Sequence, residues 1–156
     1  MRPALTFSIL LCTILSLPQA MASAGIATDV TVRVLAHDAK LIGDLAGGAH
    51  VEIRDEVTGE LLADGLVRGN TGSTDSIMRE PWIRGRPDLD TEGAAALRTT
   101  LDLDRPTRVR VHARGPLGFS GVPAEASRTV VLIPGEQVSG NGIVLTLQGL
   151  LVNLLA

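Results

Sequence analysis

Cysteine, tyrosine and aromatic residues are scarce: the 156-residue chain holds one Cys, no Tyr, one Trp and two Phe. A single thiol, Cys12, rules out a disulfide framework within the chain and any site built from several thiolates. Basic residues are not in excess either. Lys and Arg number 14 against 17 Asp and Glu, for a formal charge of -3, whereas nucleic-acid binders neutralise phosphates with a clear basic surplus. No nucleic-acid partner is therefore expected. Repeats of helical or leucine-rich type are also missing.

What is present begins with an address. Arg2 is followed by an apolar stretch from Ala4 to Leu17, then Pro18 and the small-residue pattern Ala22-Ser23-Ala24. These are the three parts of a secretory signal peptide, with cleavage expected after Ala24. The apolar stretch is interrupted by Thr6, Ser8, Thr13 and Ser16 and is shorter than the ~20 residues a spanning helix needs. Cys12 as a lipid anchor is disfavoured, because Leu10 and Leu11 precede it. The expectation is an exported protein, periplasmic or extracellular, with residues 1–24 as leader and 25–156 as one domain. No transmembrane segment is expected in the mature chain. Removing the leader takes Arg2, Cys12 and Phe7 with it, so the formal charge becomes -4 and Trp82 and Phe119 are the only aromatics left. Such a core must be built from Val, Leu, Ile and Ala.

The remaining chain alternates with period two, the signature of half-buried strands. Val30, Val32 and Val34 point one way and Thr31, Arg33 and Leu35 the other, predicting a strand over Asp29–His37. Val51 and Ile53 repeat the pattern, and Thr58-Gly59 supplies a tight reversal into Leu61–Val67, predicting a hairpin. Ala95, Leu97, Thr99, Leu101 and Leu103 share one face of a further strand. Asp104-Arg105-Pro106 turns it, and Val109, Val111 and Ala113 line the next. Thr129–Ile133 reads as a strand buried on both faces or at the centre of a sandwich, and Ile143–Leu147 closes the pattern, with Leu150–Leu155 as a last strand, a short helix or an apolar tail. Between Arg68 and Gly93 lies a long irregular loop, a length that compact domains reserve for function or mobility. The expected fold is all-β: a single Greek-key β-sandwich of about seven strands with one long loop.

The run Val51-Glu52-Ile53-Arg54-Asp55-Glu56-Val57-Thr58-Gly59-Glu60-Leu61-Leu62-Ala63 resembles the strand, D-x-x-T-G-E turn and strand of transthyretin-like or carboxypeptidase-regulatory-like modules. The resemblance implies a secreted seven-stranded sandwich in an accessory role without catalysis. The Arg68–Gly93 insertion departs from the usual compactness of such modules.

Candidates for chemistry are incomplete. His37, His50 and His112 lack the short spacing of a zinc motif. Asp88, Asp90 and Glu92 alternate before Gly93 like half of an EF-hand loop, but Thr99 stands where the bidentate Glu belongs. Gly118-Phe119-Ser120-Gly121 misses the G-x-S-x-G elbow, since Val122 follows. The small residues of Arg68–Asp75 suggest an anion cradle without the G-K-[ST] ending of a phosphate loop. No catalytic set, metal site or cofactor is expected. Arg108, Arg110, His112 and Arg114 form a basic stripe, balanced if Arg98, Asp102 and Asp104 lie outward on the adjacent strand.

The most suggestive cluster is Arg79, Trp82, Arg84 and Arg86, in which the single Trp, held between Pro81 and Pro87, sits among three Arg. This composition suits anchoring a partner, stacking a sugar or pairing with carboxylates. Alternatively, Trp82 and Ile83 plug the sandwich while the arginines neutralise neighbouring acids. The expected function is a non-enzymatic binding or structural role in the cell envelope through a protein partner; the alternative is a small-ligand or glycan-binding module using the same loop.

Overall fold

The computed structural model describes residues 24–119, 121 and 123–148. Seven strands form two sheets: β1 (Ile26–Ala36), β2 (Ala49–Asp55), β3 (Leu61–Val67), β4 (Leu97–Leu103), β5 (Thr107–Gly115), β6 (Ala124–Leu132) and β7 (Val138–Leu147). A three-stranded sheet runs β4-β1-β7 and a four-stranded sheet runs β3-β2-β5-β6. The all-β sandwich expected from the alternation is what the structure shows. Most of the leader and Leu150–Leu155 lie outside the described residues, as do Ser120 and Val122 of the elbow-like sequence.

The alternating residues meet between the sheets. Val30, Val32 and Val34 from β1 face Val51 and Ile53 from β2 and Val109, Val111 and Ala113 from β5, all within 1% of complete burial. Branched aliphatic side chains fill this space, because they pack well on a pleated surface. The β2–β3 hairpin forms as expected, with Gly59 at φ 75 in the turn. Asp55 Oδ1 accepts the amide hydrogens of Val57 at 2.7 Å and Thr58 at 2.8 Å.

Those two bonds, Thr58 first, hold the Asp55 carboxyl below its ordinary pKa. A depressed folded pKa means that the contribution of Asp55 is complete above the unfolded value, near 4. It is lost as the pH falls through the folded value. Asp55→Asn is therefore expected to reduce the loss of stability on acidification below about pH 4. Urea unfolding at pH 3 and pH 7 measures it; an unaltered acid limb would refute the role.

Three expectations are corrected. First, β4 and β5 do not pair: β4 pairs antiparallel with β1, and β5 lies between β2 and β6. The Asp104–Pro106 turn carries the chain from one sheet to the other. Arg98, Asp102 and Asp104 thus cannot balance the basic stripe, and two of its arginines pair instead with Glu56, 2.5 Å from Arg110, and with Glu125, 3.6 Å from Arg114. The Glu56 bond raises the Arg110 pKa. Second, Thr129–Ile133 is not buried on both faces. It belongs largely to β6, a sheet edge paired only with β5, and Val131 and Ile133 are 58% and 52% exposed. Third, Arg33 is not on a solvent face but completely buried.

Candidate functional site

Arg33 is buried because the long loop lies over its side of β1. Its Nε donates to Gly140 O at 3.2 Å and its Nη1 to Ala94 O and Ala95 O at 3.3 and 3.1 Å. Nη2 reaches Asp90 Oδ1 at 2.5 Å. One side chain thereby joins β1, the loop and the start of β7. Burial pulls the guanidinium pKa below its usual value, and the Asp90 charge opposes that shift. Arginine remains cationic at neutral pH even so.

Further contacts fix the same loop. Leu89 is fully buried, and its amide donates to Asn141 Oδ1 at 2.8 Å while Asn141 Nδ2 donates to Arg86 O at 3.2 Å. Arg86 pairs with Asp88 and with Glu80, the latter at 3.1 Å, and reaches Pro81 O at 3.3 Å. Ile77 is buried within a single π-type turn, Asp75–Arg79. The stretch that looked irregular is thus a latched structure without strands.

This arrangement separates the four candidate residues. Arg86 is an internal clamp, and Arg79 pairs with Asp75 at 2.8 Å on the surface. Arg84 is exposed, with no ion pair to a described residue. Trp82 is 56% exposed, and its Nε1 donates to Ile77 O at 3.3 Å, so its ring is oriented without being buried. Met78 and Ile83 are 47% and 57% exposed beside it in the chain. Trp82 and Ile83 therefore do not plug the sandwich; the buried positions of the loop are Ile77 and Leu89, with Asp88 buried against Arg86.

Trp82, Met78 and Ile77 form one wall of a cleft of about 390 Å³ completed by Leu35, Thr146 and the His37–Ala39 turn. A second cleft, about 710 Å³, lies across that turn and holds Phe119 with Leu41, Ile42, Pro116 and Leu147. Ala36, His37 and Ala39 line both. The two aromatics outside the expected leader therefore stand at the same end of the sandwich. Sequence reasoning reached Trp82 through its arginine neighbours. It passed over Met78 and weighed Ile83 only as a plug, and it had no means of joining Leu35 or Thr146 to them across such sequence distances.

The remaining candidates resolve into local structure. His37 lies 3.3 Å from Asp38, His50 lies 3.3 Å from Asp64, and His112 Nδ1 is 2.9 Å from Ser127 Oγ. The His112–Ser127 pair has the geometry for proton transfer, and Glu125 lies 3.9 Å from the other ring nitrogen. It stands on the β5–β6 pair, and neither residue lines either of the two clefts. Among the described residues no group of three or more His, Cys, Asp or Glu is arranged to hold a metal. Asp88 and Asp90 face Arg86 and Arg33 instead of converging. In the Arg68–Asp75 stretch considered as an anion cradle, Gly69 N is bound by Asp44, Asn70 N by Gly93 O and Gly72 N by Asn70 Oδ1. Those amides are already satisfied.

No protein-family model, curated protein or solved structure matches the chain. Among the described residues no helix is long and apolar enough to cross a membrane.

Proposed function

We propose that the chain is an exported, non-enzymatic β-sandwich that binds a protein partner in the cell envelope through its latched loop. The observation that carries this reading is Trp82: more than half exposed, oriented by its bond to Ile77, and flanked by exposed Met78 and Ile83. An aromatic anchor already held in place loses little conformational freedom on binding, and Trp with Arg dominates interface hot spots. Arg84 and Arg79 supply the polar rim. The leader-like residues 1–24 and the resemblance of the β2–β3 hairpin to secreted accessory modules support the location and the absence of catalysis.

The test is recovery of a partner by the tagged full chain from its native cell, compared with Trp82→Ala and with Arg108→Ala on the remote sheet. Trp82→Ala is expected to weaken the purified complex by about 30-fold or more, and Arg108→Ala to leave it unchanged. Equal recovery by all three proteins would refute the assignment. A second reading, a small-ligand or glycan site, is favoured by the cleft beside Trp82, where His37, Asp38 and Thr146 add polar groups to an apolar floor. It requires Trp82 fluorescence to respond to sugars or small anions, with no protein needed.

A further inference from the structure

The larger of the two clefts has no part in the loop reading above, yet it is a built site. Its floor is apolar and well packed: Leu41, Ile42, Pro116 and Leu147 are buried, and Phe119 and Ala124 form its sides. Its volume, about 710 Å³, falls within the range of pockets that enclose small molecules. Such pockets pair an apolar lining with a few polar groups that orient the ligand. Here those groups are Lys40, His37, Thr71 and Gln148.

Lys40 is the only lysine in the sequence. Every other basic side chain of the chain, histidines apart, is an arginine, and most of the described arginines face carboxylates or backbone carbonyls. Lys40 faces neither: its Nζ donates to Thr74 Oγ1 at 2.8 Å, and it makes no ion pair with a described residue. Its place is fixed from the main chain, where its carbonyl accepts the Ala36 amide at 3.1 Å in the turn after β1. An ammonium is a compact charge with three donors, two of them still available beyond Thr74. A positive charge at the rim of an apolar cleft, in a chain of net negative charge, is complementary to one kind of ligand.

We propose that this cleft binds a single-chain anionic amphiphile, its hydrocarbon tail on Phe119, Ile42 and Leu147 and its head group at Lys40. Carboxylate and phosphate heads share this chemistry. Tail burial makes affinity rise with chain length, by about fourfold for each methylene fully taken from water. The head group adds a partly exposed ion pair, about fivefold in affinity.

Calorimetric titration of the full chain with octanoate, decanoate, dodecanoate, decyl phosphate and decyl glucoside, all below their micellar concentrations, tests this. Affinity is expected to climb through the three carboxylates and to favour the decyl anions over the neutral glucoside. The tighter of decanoate and decyl phosphate identifies the head group. Lys40→Gln, a change at a half-buried rim, is expected to weaken both anions about fivefold while leaving decyl glucoside unaffected. Ala124→Phe, which fills the cleft, should abolish all binding; where that variant fails to fold, protection of the Lys40 amine from methylation by bound decanoate provides the same information. Trp82→Ala should change none of these affinities, so failure of the loop reading and failure of this one are distinguishable. Absence of binding, affinity independent of chain length, or indifference to Lys40→Gln would each overturn the proposal. So would self-association without uptake of any probe, which would assign the cleft to a second copy.

Discussion

Arg33→Ala is expected to lower the free energy of unfolding by about 3–5 kcal/mol, more than any substitution of the other arginines. The magnitude follows from what the side chain leaves behind. Ala94 O and Ala95 O lose a buried donor, and Gly140 O a partly buried one, since Arg33 itself is 0% exposed. An unsatisfied buried carbonyl costs about 1–3 kcal/mol, reduced where water enters the vacated space. Asp90 contributes less, because its side chain is 40% exposed and solvent recovers most of its charge. Loosening of the loop is the second signature. Arg79 and Arg84 are natural trypsin sites within it, and Arg33→Ala should be cut there well before the wild type. Urea unfolding and timed proteolysis give both readings; a loss under 1 kcal/mol with unchanged cleavage would show that the loop is held by other means.

Why Arg33 could not be read from the sequence is instructive. Val-x-Val-x-Val with Arg between is the ordinary pattern of a strand with one face in solvent, and β1 keeps that pattern on its core side. Its second face is covered by residues 57 or more positions away, Asp90 and Ala94 among them, and no local periodicity records such a cover. The β2–β3 hairpin was legible for the opposite reason: Asp55, Thr58 and Gly59 encode the turn locally. Between these extremes lies β6. Its apolar run Val130-Val131-Leu132-Ile133 is the pattern of a central strand, but its neighbours in space are decided by how β5 is already paired with β2. The candidate site divides in the same manner. Trp82 and Arg84 stand out by composition, whereas the clefts at that end are made by Leu35, Leu41, Phe119, Thr146 and Leu147, which only the fold assembles.

Leu89 offers the sharpest test of whether the loop is one unit with the sandwich. It is the fully buried side chain between Asp88 and Asp90 and part of the continuous apolar core. Leu89→Ala is expected to cost about 2–5 kcal/mol, the transfer of the lost methyls plus the void they leave. Trp82→Ala and Ile83→Ala, at positions more than half exposed, should each stay within about 0.5 kcal/mol. The contrast matters because the loop would then owe its shape to its buried residues, leaving the exposed ones free for a partner. Arg33 and Leu89 pin the same segment from two points, so their effects should not add. Once either anchor is gone and the loop has lifted, the other has less native structure left to support. The double variant Arg33→Ala/Leu89→Ala is therefore expected to be more stable than the sum of the single losses implies, by about 1 kcal/mol or more. Strict additivity in the same urea experiment would instead mean that the two anchors hold independent parts, and that the surface around Trp82 is not supported as a single body.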